Sequence, residues 1–170
     1  ASYPRDGQIA QTLLRNAGIA LDYANHSENH ISSYRKSIDT YDERRLSLVN
    51  ELKTAIAQNH MQLHYQPLVC AKTNNMIGAD ALIRWPHAEY EMIMPDEFIE
   101  IAEQTGIIQA LSLWVIRSAI QQLQNWKKLT PDFLMSINIS AHNIQDSDFI
   151  KAVSILIKDK EELAKNIILE

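Results

Sequence analysis

The sequence contains few of the residues that build several common kinds of protein site. Cys70 is the only cysteine, which excludes an intrachain disulfide and a cysteine-based zinc site. Four glycines among 170 residues form no glycine-rich phosphate loop. No run approaches the roughly 18 apolar residues of a membrane span, and the N-terminus lacks the apolar core of a signal peptide. A disulfide scaffold, a P-loop and a membrane-spanning chain are therefore not expected.

Positive charge is also scarce. The chain has 16 lysines and arginines against 21 acids, giving a formal net charge of -5. General nucleic-acid binding relies on basic patches that neutralise phosphates, so no DNA or RNA partner is expected. One or two arginines suffice for a small phosphorylated ligand. With 46% hydrophobic and 22% charged residues, the composition is that of a globular protein with one domain, or one domain plus part of another.

Two further kinds of catalytic site receive no support from the sequence. The spacing HxxxH occurs twice, at His26/His30 and at His60/His64, but no pair reads HExxH, and all six histidines are predicted to be surface or turn residues: His26, His30, His60, His64, His87 and His142. Ser136 and Ser140 lack the G-x-S-x-G elbow of many serine hydrolases. We therefore do not expect a histidine-bound metal or a serine nucleophile.

The first third of the chain has a helical pattern. Apolar residues recur at helical spacing from Gln8 to Asn25, and a polar loop follows, with a short strand predicted around Ile31 and Tyr34. A second helix is predicted over 37–58. We interpret it as a connection between two domains; the alternative is an ordinary helix of a single domain.

From Met61 onward, strands alternate with helices. Strands are predicted at 61–70, 76–85, 133–140 and 166–169. Helices are predicted to open at Pro95 and to cover 108–128 and 146–158. Alternation of this kind is typical of an α/β fold with parallel strands.

Polar side chains fall at or near the ends of three predicted strands. They are Asp80, Asn138 and Glu170, and in such sheets ligands bind where the strands end. Two carboxylates and an amide oxygen are hard ligands that suit Mg²⁺ or Mn²⁺. Arg84 follows Asp80 by four residues, so both side chains would share one face of a strand and a phosphate could be clamped there.

Each of these residues also has a purely structural interpretation. Asp80 could simply pair with Arg84, Asn138 could cap a loop, and Glu170 could be exposed to solvent. Spacing alone does not decide between the two interpretations.

Several ordered motifs resemble the EAL domain, a family that hydrolyses the bacterial second messenger cyclic di-GMP. They run from about Glu51 to Glu170 and read HYQPLV, GADALIRW, PDEFIEIAEQTGII, LWVIRSAIQQLQNW, SINIS and IILE. The resemblance implies an α/β fold, the first half of a TIM-like (β/α)8 barrel. The family's two-metal chemistry implies Mg²⁺ or Mn²⁺ as cofactor.

The N-terminal part resembles the end of a GGDEF domain, the diguanylate cyclase fold. SYPRDG and LLRNAGIALDYA carry this looser resemblance, with Gly18 where the family usually has an acid. The implied organisation is a degenerate GGDEF tail over 1–36, a linker helix over 37–50 and the N-terminal half of an EAL domain over 51–170.

Site residues follow from the resemblance, motif by motif. Asp80, Asn138 and Glu170 match metal ligands of the family, whereas Gln66 and Arg84 match residues beside the substrate. The paired aspartates and the lysine of the family's catalytic centre come after the position of Glu170. The resemblance therefore implies no complete catalytic set in these 170 residues, which are expected to be a fragment of a longer protein.

One departure bears directly on function. The motif that names the family reads Asp-Ala-Leu, and aspartate is one methylene shorter than glutamate, which retracts its oxygens by roughly 1–1.5 Å. We therefore expect a catalytically impaired cyclic di-GMP receptor of the tandem GGDEF–EAL type. The alternatives are an active phosphodiesterase in the full-length protein and a structural or dimerisation module that binds no nucleotide.

The family also suggests where the protein works and with what. The expected partner is cyclic di-GMP, and a homodimer is a further expectation. The expected location is the bacterial cytoplasm, including the cytoplasmic part of an inner-membrane protein.

Overall fold

The computed structural model describes residues 1–25, 27, 30–128, 130–158 and 160–170, with only the backbone at Ser37 and residues 40–43. Of the predicted histidines, His26 lies outside this part of the chain. The helices are α1 (Ala10–Asn25), α2 (Thr40–Ala57), α3 (Pro95–Thr105), α4 (Ile108–Trp126), α5 (Ala141–Ile144), α6 (Ser147–Ile157) and α7 (Glu161–Ala164). The strands are β1 (Gln62–Val69), β2 (Met76–His87), β3 (Glu91–Ile93), β4 (Leu134–Ile137) and β5 (Ile167–Leu169).

The chain divides into two compact units, Ala1–Leu48 and Val49–Glu170. The division falls inside α2, within the predicted linker of 37–50. The assignment of residues 1–36 to a GGDEF tail remains a prediction. In the part of the chain that is described, no helix is long and apolar enough to cross a membrane.

The first unit is built around α1 and the turn that precedes it. The carboxylate of Asp6 accepts hydrogen bonds from the amide of Ser2 at 2.6 Å and from Arg5 Nε at 2.7 Å. The Arg5 guanidinium lowers the pKa of this carboxyl. The side-chain amide of Asn16 donates to the Asp6 carbonyl at 2.6 Å, which ties the turn to α1. The strand predicted around Ile31 and Tyr34 is wrong, because these residues form no ladder with any described segment.

The second unit contains a mixed sheet with the order β1-β2-β4-β5, and β3 pairs with the far end of β2. Strands β2, β4 and β5 are parallel, as predicted, but β1 runs antiparallel to β2. The reason is the short connection over residues 70–75, which allows a hairpin, whereas a parallel pair needs a crossover of a dozen residues or more. Asn74 supports this turn with a left-handed φ of 57°.

Alternation along the strands separates two faces of the sheet. Ala79, Ala81 and Trp85 of β2, with Met135 and Ile137 of β4, are buried on one face. Helix α4 contacts β1, β2 and β4 through its apolar stripe and so covers this core. The opposite face carries Asp80 and Arg84, both half-buried. The polar side chains Asp80 and Arg84 therefore lie on the face of the sheet opposite the core under α4.

The strands β2 and β4 approach each other most closely at Gly78. A Cβ atom placed there would lie 2.5 Å from the carbonyl oxygen of Leu134. Glycine at this position therefore sets the spacing of the two strands just before Asp80.

Candidate functional site

Asp80 lies in the middle of β2, whereas the sequence pattern predicted it at or near the end of its strand. The parallel pairing of β2 with β4 nevertheless stops one residue later, where Ala81 stands opposite Ile137. The rest of β2 continues past this point to form a hairpin with β3. Asp80 thus lies at the carboxyl edge of the parallel sheet although its own strand continues.

Asn138 and Glu170 directly follow the last residues of β4 and β5, as predicted. The amide of Glu170 donates to the Ile137 carbonyl at 3.0 Å, and the amide of Ile139 donates to the Glu170 carbonyl at 2.8 Å. These bonds extend the parallel ladder past both strands. The backbone positions of Asn138 and Glu170 are therefore fixed by the sheet.

The strand register places the predicted residues on one face. Gln66 stands opposite Asp80 in the antiparallel pair, and Ser136 stands beside Asp80 in the parallel pair. Asn138 comes two residues after Ser136, so its side chain projects from the same face one level further along. Glu170 likewise comes two residues after Ile168, which is the register partner of Ser136 in β5, so Glu170 belongs to the same face.

Arg84 belongs to this face as well, because four residues separate it from Asp80. Its register partner on β1 is Gln62. Arg84 Nη1 donates to the Ile83 carbonyl at 2.8 Å. Among the described residues, Arg84 forms no ion pair with Asp80, so the purely structural pairing of these two residues is not observed.

One direct contact joins the predicted metal ligands. Asn138 Nδ2 donates to Asp80 Oδ1 at 3.3 Å, across a separation of 58 residues in the chain. Within the described residues, no side-chain hydrogen bond joins Gln66 or Glu170 to Asp80. The structure thus brings Asp80 and Asn138 into contact and places the other three residues on the same face.

The donor set of this face fits a hard cation. No three histidine, cysteine, aspartate or glutamate side chains cluster closely enough to hold a metal, as far as the described residues go. Asp80, Glu170 and Asn138 would instead offer two carboxylates and one amide, about half of the six ligands that Mg²⁺ takes. Asn138 turns its amide nitrogen toward Asp80, so a rotation of the amide would be needed to present its oxygen to an ion.

The loop after β4 is anchored by a polar cluster that the sequence did not indicate. Ser140 Oγ donates to Glu103 Oε1 at 2.7 Å and accepts from the His142 amide at 3.2 Å, which caps α5. His142 Nδ1 lies 3.7 Å from the same Glu103 oxygen. Ser140 Oγ also lies 3.3 Å from His142 Nδ1, but its single hydroxyl hydrogen points to the Glu103 carboxylate at the shorter distance, so the cluster holds the loop and is not arranged as a nucleophile with its base.

His87 differs from the other histidines of the described chain. His30, His60, His64 and His142 are exposed, as predicted, whereas the side chain of His87 is only 9% exposed. Its Nδ1 accepts hydrogen bonds from the amides of Glu89 and Tyr90, so the proton resides on Nε2, which donates to Glu51 Oε2 at 2.5 Å. This contact ties α2 to the β2–β3 hairpin. The sequence around His87 gave no sign of it because Glu51 is 36 residues away.

Comparisons with known proteins agree with the geometry. A family model described as the EAL domain matches residues 49–170. The bifunctional diguanylate cyclase/cyclic di-GMP phosphodiesterase MucR of Pseudomonas aeruginosa is 32% identical over 155 residues, which cover 90% of this chain and 23% of MucR. A signalling protein of Caulobacter vibrioides is 41% identical over 128 residues, which cover 74% of this chain and 16% of that protein.

A solved structure gives the same assignment. The PaMucR phosphodiesterase in complex with c-di-GMP superposes with a TM-score of 0.67 at 31% identity, covering 72% of this chain and 50% of that one. The chain spans less than a quarter of the length of the two relatives above. EAL domains are TIM-like barrels, and the mixed sheet with its covering helices matches part of one. The chain therefore belongs to the EAL domain family.

Proposed function

We propose that the protein is a cyclic di-GMP signalling protein of the tandem GGDEF–EAL type that binds the nucleotide and hydrolyses it poorly. The observation that carries the proposal is the Asp80–Asn138 contact on the face that also holds Gln66, Arg84 and Glu170. The relatives and the solved complex named above support cyclic di-GMP as the ligand.

Each side chain would have a separate task. The Arg84 guanidinium would contact a phosphate of the nucleotide, since its planar fork matches phosphate oxygens. Gln66, opposite Asp80, would contact the ligand beside it. Asp80, Asn138 and Glu170 would hold Mg²⁺ or Mn²⁺, which supplies charge neutralisation at the phosphate and an activated water when bound.

The shorter acid is the reason to expect impaired catalysis. Metal sites tolerate changes of about 0.2 Å in ligand distance, whereas aspartate retracts the carboxylate by roughly 1–1.5 Å. Asp80 keeps the negative charge, so the site retains its attraction for a cation. The site would therefore still bind a cation, but Asp80 would not place the activated water in line with the phosphate.

An active phosphodiesterase is the second candidate function. It is favoured by the phosphodiesterases among the relatives and by the contact that Asp80 keeps with Asn138. A bacterial cytoplasmic location, including the cytoplasmic side of an inner-membrane protein, and a homodimer belong to the same proposal for both candidates.

Incubation of the full-length protein with cyclic di-GMP and Mn²⁺ separates the candidates. We expect saturable binding with little or no linear dinucleotide product. Rapid turnover would replace the receptor proposal with the enzyme. A protein that showed no binding would instead be the non-binding structural module.

A further inference from the structure

Ser136 is a buried polar residue without a hydrogen-bond partner. It lies in β4, is 1% exposed, and its Oγ contacts no donor or acceptor among the described residues. An unmatched buried hydroxyl costs about 1–3 kcal/mol, so native proteins rarely keep one without a use. The position of this hydroxyl indicates what that use is.

The side chain of Ser136 points to the face that carries the candidate site. Its neighbours Met135 and Ile137 are fully buried on the opposite face, in the core under α4. Ser136 is also the register partner of Asp80, and adjacent strands lie about 4.8 Å apart. The unpartnered hydroxyl is therefore the lateral neighbour of the acid.

The length of Asp80 matters for this neighbour. An aspartate keeps its carboxylate close to the sheet, at the level of the side chain next to it. A glutamate would carry the carboxylate roughly 1–1.5 Å further out, past a serine on the adjacent strand. The short acid and the serine are therefore matched in height.

Binding of a cation would change the partners of Asp80. Asn138 now donates its amide N–H to Asp80 Oδ1, and rotation of the amide toward a cation would remove that donor. Carboxylates that bind metals are usually held by a hydrogen bond to their second oxygen. Within the described residues, Ser136 Oγ is a buried side-chain donor with no partner beside Asp80.

We propose that Ser136 is a positioning residue that donates its hydroxyl hydrogen to the Asp80 carboxylate when a divalent cation occupies the site. Asp80 and Ser136 then act as a pair, with Asn138 released to bind the cation through its oxygen. This inference deepens the proposed function and rests on the metal-binding role of Asp80 within it.

Mn²⁺ affinity of the protein, measured by titration calorimetry without nucleotide, tests the inference. Ser136→Ala should weaken Mn²⁺ binding about tenfold, the usual effect of losing a residue that supports a metal ligand. Ser136→Thr keeps the hydroxyl and should stay within about threefold of the wild type. Ser154→Ala is the matched control, because Ser154 is exposed on α6 and its hydroxyl donates to the Ile150 carbonyl of the same helix.

Thermal unfolding without metal distinguishes positioning from a structural role. Because the Ser136 hydroxyl has no partner in the metal-free protein, Ser136→Ala should have the same metal-free Tm as the wild type or a higher one, although its Mn²⁺ affinity falls. A lowered Tm that accompanied the loss of affinity and was not rescued by threonine would overturn the positioning role. Wild-type affinity in Ser136→Ala would do the same.

The pairing is tested in the Asp80→Glu background. There Ser136→Ala should change Mn²⁺ affinity less than threefold, because the longer acid reaches past position 136. Equal losses in both backgrounds would overturn the pairing, as would a wild type that bound no Mn²⁺. A protein that showed the expected Mn²⁺ effects but bound no cyclic di-GMP would contradict the proposed function alone.

Discussion

At the scale of single residues, Asp80 places a carboxylate at the carboxyl edge of the parallel sheet. Its side chain is one methylene shorter than the glutamate of the family motif. The Asp80→Glu variant should bind Mn²⁺ about tenfold more tightly, equivalent to about 1.4 kcal/mol, because the longer side chain returns its oxygens to the cation. Titration of the full-length protein with Mn²⁺ measures the change, and assay with cyclic di-GMP shows whether hydrolysis rises with it.

Asp80→Asn is the control for charge at the same size, and it should lose most of the Mn²⁺ affinity. If Asp80→Glu left both affinity and hydrolysis unchanged, the length of the side chain would not be the defect, and other positions of the site would have to account for it.

Arg84 is expected to recognise the nucleotide through the geometry of its fork. Arg84→Lys keeps the charge but loses the bidentate contact, so cyclic di-GMP binding should weaken by about 1.5–3 kcal/mol, measured by calorimetry. Arg117→Ala, on the exposed surface of α4, serves as the control for a lost surface charge. Wild-type affinity in Arg84→Lys would show that position 84 contributes charge alone.

At the scale of elements, the contact between β2 and β4 depends on the absence of a side chain at position 78. Gly78→Ala forces a Cβ against the Leu134 carbonyl and should destabilise the second unit by about 1–3 kcal/mol, measured by denaturant unfolding. The contrasting change is Gly18→Ala in α1, where open space surrounds the new methyl group, and it should stabilise the first unit by about 0.5–1 kcal/mol. Equal effects at both positions would contradict the role of Gly78 in spacing the strands.

Helix α6 begins with a titratable cap. Asp146 accepts hydrogen bonds from the amides of Phe149 and Asp148, and these bonds lower the pKa of its carboxyl. Because the folded pKa is the lower one, the stabilisation is present above the unfolded pKa near 3.9 and is lost as pH falls through the folded value.

The Tm of the wild type should therefore fall further than the Tm of Asp146→Asn when the pH drops below about 4, since asparagine caps the helix without titrating. Thermal melts of both proteins from pH 6 to pH 2.5 make this comparison. Parallel curves over this range would show that the cap does not contribute to the acid sensitivity.

Helical periodicity and capping explain which elements were predictable from the sequence. The stripe of α4 and the Pro95 start of α3 are local signals, and both helices lie where they were predicted. The three-residue β3 and the four-residue α5 and α7 are too short for a periodic pattern to be recognised in the sequence, and they were missed. The direction of β1 was also missed, since it depends on the 70–75 turn and not on the strand's own residues.

The candidate site was predictable from the sequence only where its residues had a local signal. Asp80, Asn138 and Glu170 stood out because they are polar residues at or near the ends of predicted strands, where ligands bind in such sheets, and the fold places them on one face. Ser136 gave no signal, because a small polar residue in a strand is ordinary until its register partner is known. The His87–Glu51 contact likewise joins distant parts of the chain and has no local pattern.

At the scale of the whole molecule, apolar side chains are exposed along β5. Ile168 is 39% exposed and Leu169 is 51% exposed, on the outer strand of the described sheet. Open apolar strand edges promote association between chains. We therefore expect the polypeptide 1–170, produced alone, to self-associate at micromolar concentration, as measured by light scattering.

Leu169→Lys should reduce this association, because a charged edge resists strand pairing. Leu46→Lys provides the comparison, as Leu46 is equally apolar and 68% exposed but lies on α2. If Leu46→Lys reduced self-association more than Leu169→Lys, the associating surface would lie on the helix and not on the strand.

The β1–β2 hairpin also has a consequence for the order of events during synthesis. It carries Gln66, Asp80 and Arg84 within 26 consecutive residues, from Gln62 to His87, whereas Asn138 lies 58 residues beyond Asp80. Hairpins close in roughly 1–10 μs, while ribosomes add about 5–20 residues per second. On a nascent chain, the nucleotide-facing half of the proposed site can thus form seconds before its remaining metal ligands are translated.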